Sequence, residues 1–135
     1  MEFKISKELI TQIETLVQQN NIVELENILH EIHFADIAEI MNDLDTSEAI
    51  YIFNLLDSEI TAEILLELDE EVRETILSTL SAKEIAEELD ELDTDDAADI
   101  IAELPQSKKA QVISELEDVE HAKDIVDLLR YDENT

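Results

Sequence analysis

The 135-residue sequence contains no cysteine, no glycine and a single proline, Pro105. Without cysteine there is no disulfide framework, no thiolate metal site and no cysteine nucleophile, a composition compatible with the cytosol. A sheet protein would need turn glycines, whereas the abundant Leu, Ile, Ala and Glu favour helix. We therefore expect an all-α fold.

Long apolar runs and basic residues are also scarce. No stretch approaches the roughly 20 apolar residues of a membrane helix, and the start, MEFKISKELI, lacks the apolar stretch of a secretory signal. Only 8 basic residues stand against 37 acidic ones, for a formal net charge of -29. This charge argues against nucleic acid, which is bound by Lys and Arg, and predicts stabilisation by bridging divalent cations. We expect a soluble chain that attracts cations.

Catalytic motifs are missing as well. The sequence has no Gly-rich phosphate loop, no serine–histidine constellation and no HExxH, which leaves only the carboxylate pairs that acidic helices produce by chance. We therefore expect no enzyme activity, no catalytic residue and no organic cofactor.

A repeat of 12 residues runs through most of the chain. Leucine recurs at this spacing at Leu44, Leu56, Leu68, Leu80, Leu92, Leu104, Leu116 and Leu128. Aspartate often follows the leucine, as at Asp45, where Glu48 three residues later predicts a capping-box-like helix start. Alanine recurs in the seventh position, and an aliphatic pair lies three to four residues from it, on the same helical face.

Each unit therefore predicts one short amphipathic helix. Twelve residues give at most about ten helical positions, or roughly 15 Å, too short to be stable alone. Stacked units would form an α-solenoid, an architecture that typically offers a binding surface. We expect a helical cap over residues 1–31, short-helix repeats over 32–130 in the same domain, and the start of a linker at 131–135. In the cap, helices are predicted over Lys7–Gln19 and Val23–Glu31, with a break at Asn20 and Asn21.

Several of these segments resemble the N domain of the MgtE magnesium transporter family. They are ADIAEIMNDLD, TAEILLELD, EIAEELDELDTDDAADIIAELP and the closing LLRYDENT, so the resemblance runs from about Leu29 to the end. The most specific stretch is LDTDDAADIIAEL, from Leu92 to Leu104. The sequence departs from the family where Phe34 follows His33 and where Asp132 follows Tyr131, positions at which the family often has proline.

The resemblance implies a right-handed superhelix of short helices that senses magnesium on the cytoplasmic side of the bacterial cell membrane. In the family, Mg²⁺ bridges this domain to acidic CBS domains of the same protein, which is a multi-pass membrane protein and a homodimer. When intracellular magnesium falls, the acidic faces repel, the N domain moves away and the pore is free to open.

Carried over by position, the family's metal ligands fall on Glu63, Asp95 and Asp99. Independently of the family, Asp95 and Asp99 are i,i+4 neighbours whose repulsion a shared cation would relieve, and Glu103 extends the same line. Glu63 and Asp99 lie 36 residues apart in the same repeat position, which suggests that about three helices complete one turn. Because Mg²⁺ keeps several waters, binding is expected to be weak and shared with the CBS domains.

Other interpretations stay open. The acidic stretch can be a merely solvated face, and Asp96 suits capping and dipole stabilisation at a helix start better than ligation. His30 and His33 straddle a helix junction, so a shared metal is doubtful, and His121 is expected to tune local charge or to lie exposed. The rival function is a protein-binding scaffold without metal sensing, similar to the helical domains of the flagellar motor switch protein FliG, with Tyr51 and Phe53 as its few aromatic anchors.

Overall fold

The computed structural model describes residues 5–133, and for residues 119 and 131–133 the backbone alone. Ten α-helices and no strand occupy this part of the chain. They are α1 (Lys7–Gln18), α2 (Ile22–Leu29), α3 (Phe34–Asp43), α4 (Thr46–Leu55), α5 (Ser58–Glu67), α6 (Glu70–Ser78), α7 (Ala82–Leu89), α8 (Thr94–Glu103), α9 (Gln106–Glu115) and α10 (Val119–Glu133). The predicted all-α class is confirmed, and so are its short repeats, because α3 to α9 each have 8 to 10 residues.

Extended backbone at the repeat leucine ends five of these helices. The C-cap residues are Leu44, Leu56, Leu68, Leu104 and Leu116, and each adopts β-region dihedral angles. After Leu44 and Leu56 the following residue, Asp45 or Asp57, is extended as well and is the N-cap of the next helix. Since every residue type tolerates the β region, the helices end without glycine. Asn20, with φ of 55°, is the one non-glycine residue of positive φ in the described chain, and it marks the predicted break after α1.

Capping at the helix starts follows the prediction in part. Asp45 begins α4 with a capping box, in which Glu48 Oε1 accepts a hydrogen bond from the Asp45 N–H at 3.3 Å. Ser81 and Glu84 form the same box at α7, where no capping box was predicted. At Asp57 the backbone has N-cap geometry, but the carboxylate makes no capping hydrogen bond.

The chain divides into two compact units, residues 1–76 and 77–135, and the division falls inside α6. In the first unit α1 packs against α2 and α4, while α3 packs against α4 and α5. Its core contains the fully buried side chains Ile13, Leu25, Ile40, Ile52 and Ile64. Arg73 Nη1 donates to the carbonyl oxygens of Leu65 at 3.3 Å and Leu68 at 2.9 Å. Its guanidinium group thus satisfies carbonyl groups at the C-terminal end of α5.

In the second unit α7 packs against α9, and α8 packs against α9 and α10. The side chains of Ile85, Leu89, Ile101, Val112 and Ile125 are fully buried there. Lys108 Nζ donates to the carbonyl oxygen of Leu80 at 2.8 Å, so a basic side chain again satisfies a carbonyl near the end of a helix.

The helix boundaries recur after five of the 12-residue repeats. Helices α2, α3 and α4 begin at residues 22, 34 and 46, and α7, α8 and α9 begin at 82, 94 and 106, with the same lengths. Each half of the chain thus contains a corresponding trio of helices, in which α3 is the counterpart of α8.

The predicted domain boundaries stay predictions. The boundary between a cap and the repeats, at residues 31 and 32, falls between α2 and α3 within the first unit. Helix α10 continues to Glu133, beyond the predicted start of the linker at residue 131, and residues 134–135 lie outside the described part of the chain.

Candidate functional site

Helix α8 separates its acidic residues from its apolar ones. Asp95 and Asp99 lie four residues apart and are both exposed, whereas Ala97 and Ile101 are buried against the neighbouring helices. This separation follows from the 3.6-residue period of the helix. The two predicted ligands therefore lie on a solvent-facing surface, and half-buried Glu103 follows one turn later.

Asp96 lies in the first turn of α8, where its negative charge interacts favourably with the positive end of the helix dipole. Asp93 is the N-cap residue, but its side chain makes no capping hydrogen bond. The dipole part of the predicted role of Asp96 therefore fits the structure, and its capping part stays a prediction.

Glu63 lies in the middle of α5 and is half-buried, between the buried residues Ala62 and Ile64. It belongs to the first unit, whereas Asp95 and Asp99 belong to the second. Its proximity to these two aspartates, and the proposed turn of three helices, stay predictions.

The donor chemistry of these residues suits Mg²⁺, which prefers carboxylate oxygens and often keeps several waters while one or two carboxylates hold it. Asp95 and Asp99 offer such a pair on one surface of α8. Within residues 5–133 no group of three His, Asp or Glu side chains is arranged to hold a metal ion. Ligation of Mg²⁺ by Asp95, Asp99 and Glu63 therefore stays a prediction.

His30 and His33 both lie at helix ends. His33 is the N-cap of α3, and its Nδ1 accepts a hydrogen bond from the Ala35 N–H at 3.2 Å, while His30 is the exposed C-cap of α2. These two histidines therefore lie on either side of a helix junction, as predicted.

His121 is more constrained than predicted. It is half-buried in α10, with Nδ1 at 3.2 Å from Thr94 Oγ1 and Nε2 at 3.4 Å from the Leu89 carbonyl oxygen. It therefore links α10 to the start of α8 and the end of α7, and the alternative that it lies exposed is wrong.

The repeat itself contained the signal for this inward position. Counted from the repeat leucine, His121 occupies the sixth place of its 12-residue repeat. The same place is buried in other repeats, at Ala49, Thr61, Ile85 and Ala97. In the sequence the sixth place is apolar at Ile37, Ala49, Ile85 and Ala97, and this pattern favours an inward position for His121.

Among the described helices, none combines the length and the apolar character that crossing a membrane requires.

Comparison with known proteins identifies one family and one fold. The family model described as the MgtE intracellular N domain matches residues 32–134. A solved structure described as the soluble part of a magnesium transporter is similar to this chain, with a TM-score of 0.78 and 23% sequence identity over 93% of this chain and 49% of that chain. The present chain thus spans about half the length of that structure, and the likeness supports the predicted helical-repeat fold. No curated protein matches.

The match between the family model and residues 32–134 includes the acidic helix α8 and most of both units. The chain therefore belongs to the family of the MgtE intracellular N domain.

Proposed function

We propose that this chain is the magnesium-sensing regulatory domain of an MgtE-type magnesium transporter. The observation that carries this proposal is the family match over residues 32–134 together with the exposed pair Asp95 and Asp99 within it. Glu63 is the third proposed ligand. The domain lies on the cytoplasmic side of the membrane. The remaining part of the protein supplies the CBS domains and the membrane pore, and the complete protein is a homodimer.

The proposed mechanism depends on charge repulsion between acidic surfaces. With a net charge of -29, the domain repels another acidic surface unless cations lie between them. At high magnesium concentration, Mg²⁺ is held by carboxylates of both surfaces, which favours the docked, closed state. At low concentration the carboxylates lose the shared cation, the domain separates, and the pore opens.

The incomplete ligand set supports sharing between two surfaces. Asp95 and Asp99 provide two carboxylates on an exposed helix face, which leaves most positions of an octahedral Mg²⁺ to water or to a partner. A sensor benefits from this arrangement, because an ion that binds only the docked state well shifts the equilibrium by its differential affinity.

The scaffold alternative has less support among the described side chains. Of its two expected aromatic anchors, Phe53 is only 4% exposed, and Tyr51 is half-buried with its hydroxyl bonded to Asn20 Oδ1. Among the residues whose side chains are described, the exposed large apolar ones are Ile22 and Val23 at the start of α2. This pair is the surface that a protein partner would use if the scaffold function were correct.

A flux experiment on the complete transporter tests the proposal. The ligand variant carries Glu63→Gln, Asp95→Asn and Asp99→Asn. We expect transporters with this variant, reconstituted in liposomes, to keep conducting Mg²⁺ at internal concentrations that close the unchanged protein, because the bridging carboxylates are lost.

A control variant of equal charge change separates ligation from general electrostatics. It carries Asp36→Asn, Glu39→Gln and Asp43→Asn in α3, the counterpart of α8, and it likewise combines one half-buried and two exposed carboxylates. We expect it to close as the unchanged protein does. Closure of the ligand variant at the normal magnesium concentration would refute the proposed ligands.

A further inference from the structure

A groove lies between α8 and α10 in the second unit. Its volume is about 440 Å³, and its described lining residues are Thr94 of α8 and Asp124, Asp127 and Leu128 of α10. Thr94 Oγ1 lies 3.2 Å from His121 Nδ1, so the two helices are in contact about one turn before Asp124. The volume of the groove is within the range of ligand pockets, about 300–1,000 Å³.

Asp124 stands at a place that is buried elsewhere in the repeat. Counted from the repeat leucine, it occupies the ninth place of its 12-residue repeat. In the six preceding repeats this place holds Ile52, Ile64, Ile76, Glu88, Ile100 and Val112, and each of them is at most 7% exposed. Asp124, in contrast, is exposed. The repeat pattern predicts a side chain that a neighbouring helix covers, and α10 presents an uncovered carboxylate instead.

The first unit has buried side chains at the corresponding place. Helix α5 is the counterpart of α10, because α3 packs against α5 as α8 packs against α10. Five repeats before Asp124 and Leu128, this helix has Ile64 and Leu68, which are 0% and 4% exposed. An open groove is therefore not a requirement of the repeat, and it distinguishes α10 from its counterpart.

The side chains of the groove determine what it fits. Its surface is mainly apolar, and Asp124 and Asp127 lie in its lining, about one helical turn apart. The basic residues of α10, Lys123 and Arg130, are exposed and are not among the described lining residues. An apolar helix would bury the two carboxylates without compensation, which is costly. An arginine suits both features, since its aliphatic stem covers apolar surface and its guanidinium group pairs with carboxylates.

The first unit already contains an arginine next to the counterpart of α10. Arg73 of α6 donates from Nη1 to the carbonyl oxygens of Leu65 and Leu68, at the end of α5. Leu68 is the counterpart of Leu128, which lines the groove. An arginine from a neighbouring helix therefore reaches this place within the chain itself.

We propose that the groove between α8 and α10 is a docking site for a helix of another protein, which presents an arginine to Asp124 and Asp127. The partner thus supplies from outside the chain the kind of side chain that Arg73 supplies within it. This docking requires no Mg²⁺ and does not rest on the function proposed above.

Mapping of amide chemical shifts on the 135-residue chain tests this docking site. The probe is a helical peptide of alanine and leucine with one central arginine and about 14 residues, near the length at which an isolated helix forms. The reference peptide has citrulline in place of the arginine, which keeps nearly the same shape without the charge. We expect the arginine peptide to shift the amides of Thr94 and Leu128. It should bind roughly two- to fivefold more tightly than the citrulline peptide.

Two variants of equal charge change separate the groove from general electrostatics. The groove variant carries Asp124→Asn and Asp127→Asn, and we expect it to lose the preference for arginine. The matched control carries Glu71→Gln and Glu74→Gln, because these exposed glutamates also lie three residues apart, on α6. The control should keep the preference. Equal preferences in the two variants would show attraction by net charge alone and would overturn the proposal.

Two further results would overturn the docking site. One is the absence of amide shifts at Thr94 and Leu128 at millimolar arginine peptide. The other is a dimer of the unchanged chain that the groove variant does not form, because the groove would then hold a second copy of this chain. We expect the unchanged chain and both variants to sediment alike in the analytical ultracentrifuge.

Discussion

Single residues determine where each short helix starts and stops. The repeat leucine is extended, and the polar residue that follows it, such as Asp45 or Asp57, begins the next helix with the same extended backbone. Two extended residues interrupt a helix without the left-handed conformation for which glycine is preferred. This explains how a chain with no glycine forms ten helices in its described part.

His121 illustrates what the sequence could and could not predict at this scale. Its sixth place in the repeat predicts an inward orientation, because that place is buried at Ile85 and Ala97. Its partners, Thr94 and the Leu89 carbonyl, lie 27 and 32 residues away in sequence. Such partners depend on which helices pack together, and the sequence pattern alone does not determine this.

A double-mutant cycle measures the bond between His121 and Thr94. We expect His121→Ala and Thr94→Val to be coupled by about 0.5–1.5 kcal/mol in the free energy of unfolding, because either change removes the same hydrogen bond. Chemical denaturation at neutral pH gives the four stabilities. Thr46 has the same first-turn position in α4, so His121→Ala combined with Thr46→Val should show additivity. Additivity of the His121 and Thr94 changes would contradict the assigned bond.

Individual helices of this chain depend on packing for their stability. Helices of 8 to 10 residues are marginal in water on their own, so the buried face supplies the stabilising free energy. The 12-residue period predicted where these helices lie, and the structure confirms it to within a few residues. It did not predict their partners, such as α3 with α5 or α8 with α10, because a one-dimensional period does not specify which units pack.

Two valines offer a matched test of this dependence. Val112 in α9 is 0% exposed, whereas Val23 in α2 is 69% exposed. We expect Val112→Ala to lower the free energy of unfolding by roughly 1.5–3 kcal/mol more than Val23→Ala does, because only the former empties a packed position. Both substitutions gain similar helix propensity, so this term cancels in the comparison. Equal effects, measured by urea unfolding, would show that α9 is not held by its buried face.

The whole molecule is dominated by its negative charge. Thirty-seven acidic residues against eight basic ones leave most carboxylates without a cationic neighbour in sequence. Arg73 and Lys108, two of the eight, donate to main-chain carbonyls at helix ends. The compact state is therefore expected to gain stability from cations.

The sequence pattern predicted the positions of some candidate site residues, but not their roles as ligands. Asp95 and Asp99 follow from the helical period and lie together on an exposed surface, as expected. Their roles as ligands, and that of Glu63, come from the family resemblance and stay predictions. A period of 12 residues places Glu63 and Asp99 in the same repeat position, but the superhelical turn that would bring them together depends on packing angles that this period does not contain.

The measurement that tests the central claim most directly is thermal unfolding of the 135-residue chain across magnesium concentrations at fixed ionic strength. The ligand variant and the control variant are compared with the unchanged chain, and a monovalent salt series corrects for screening. We expect Mg²⁺ to raise the Tm of the unchanged chain and of the control variant by roughly 2–5 °C, and that of the ligand variant by much less. Equal stabilisation of all three proteins would contradict discrete Mg²⁺ ligation by these carboxylates within the chain alone.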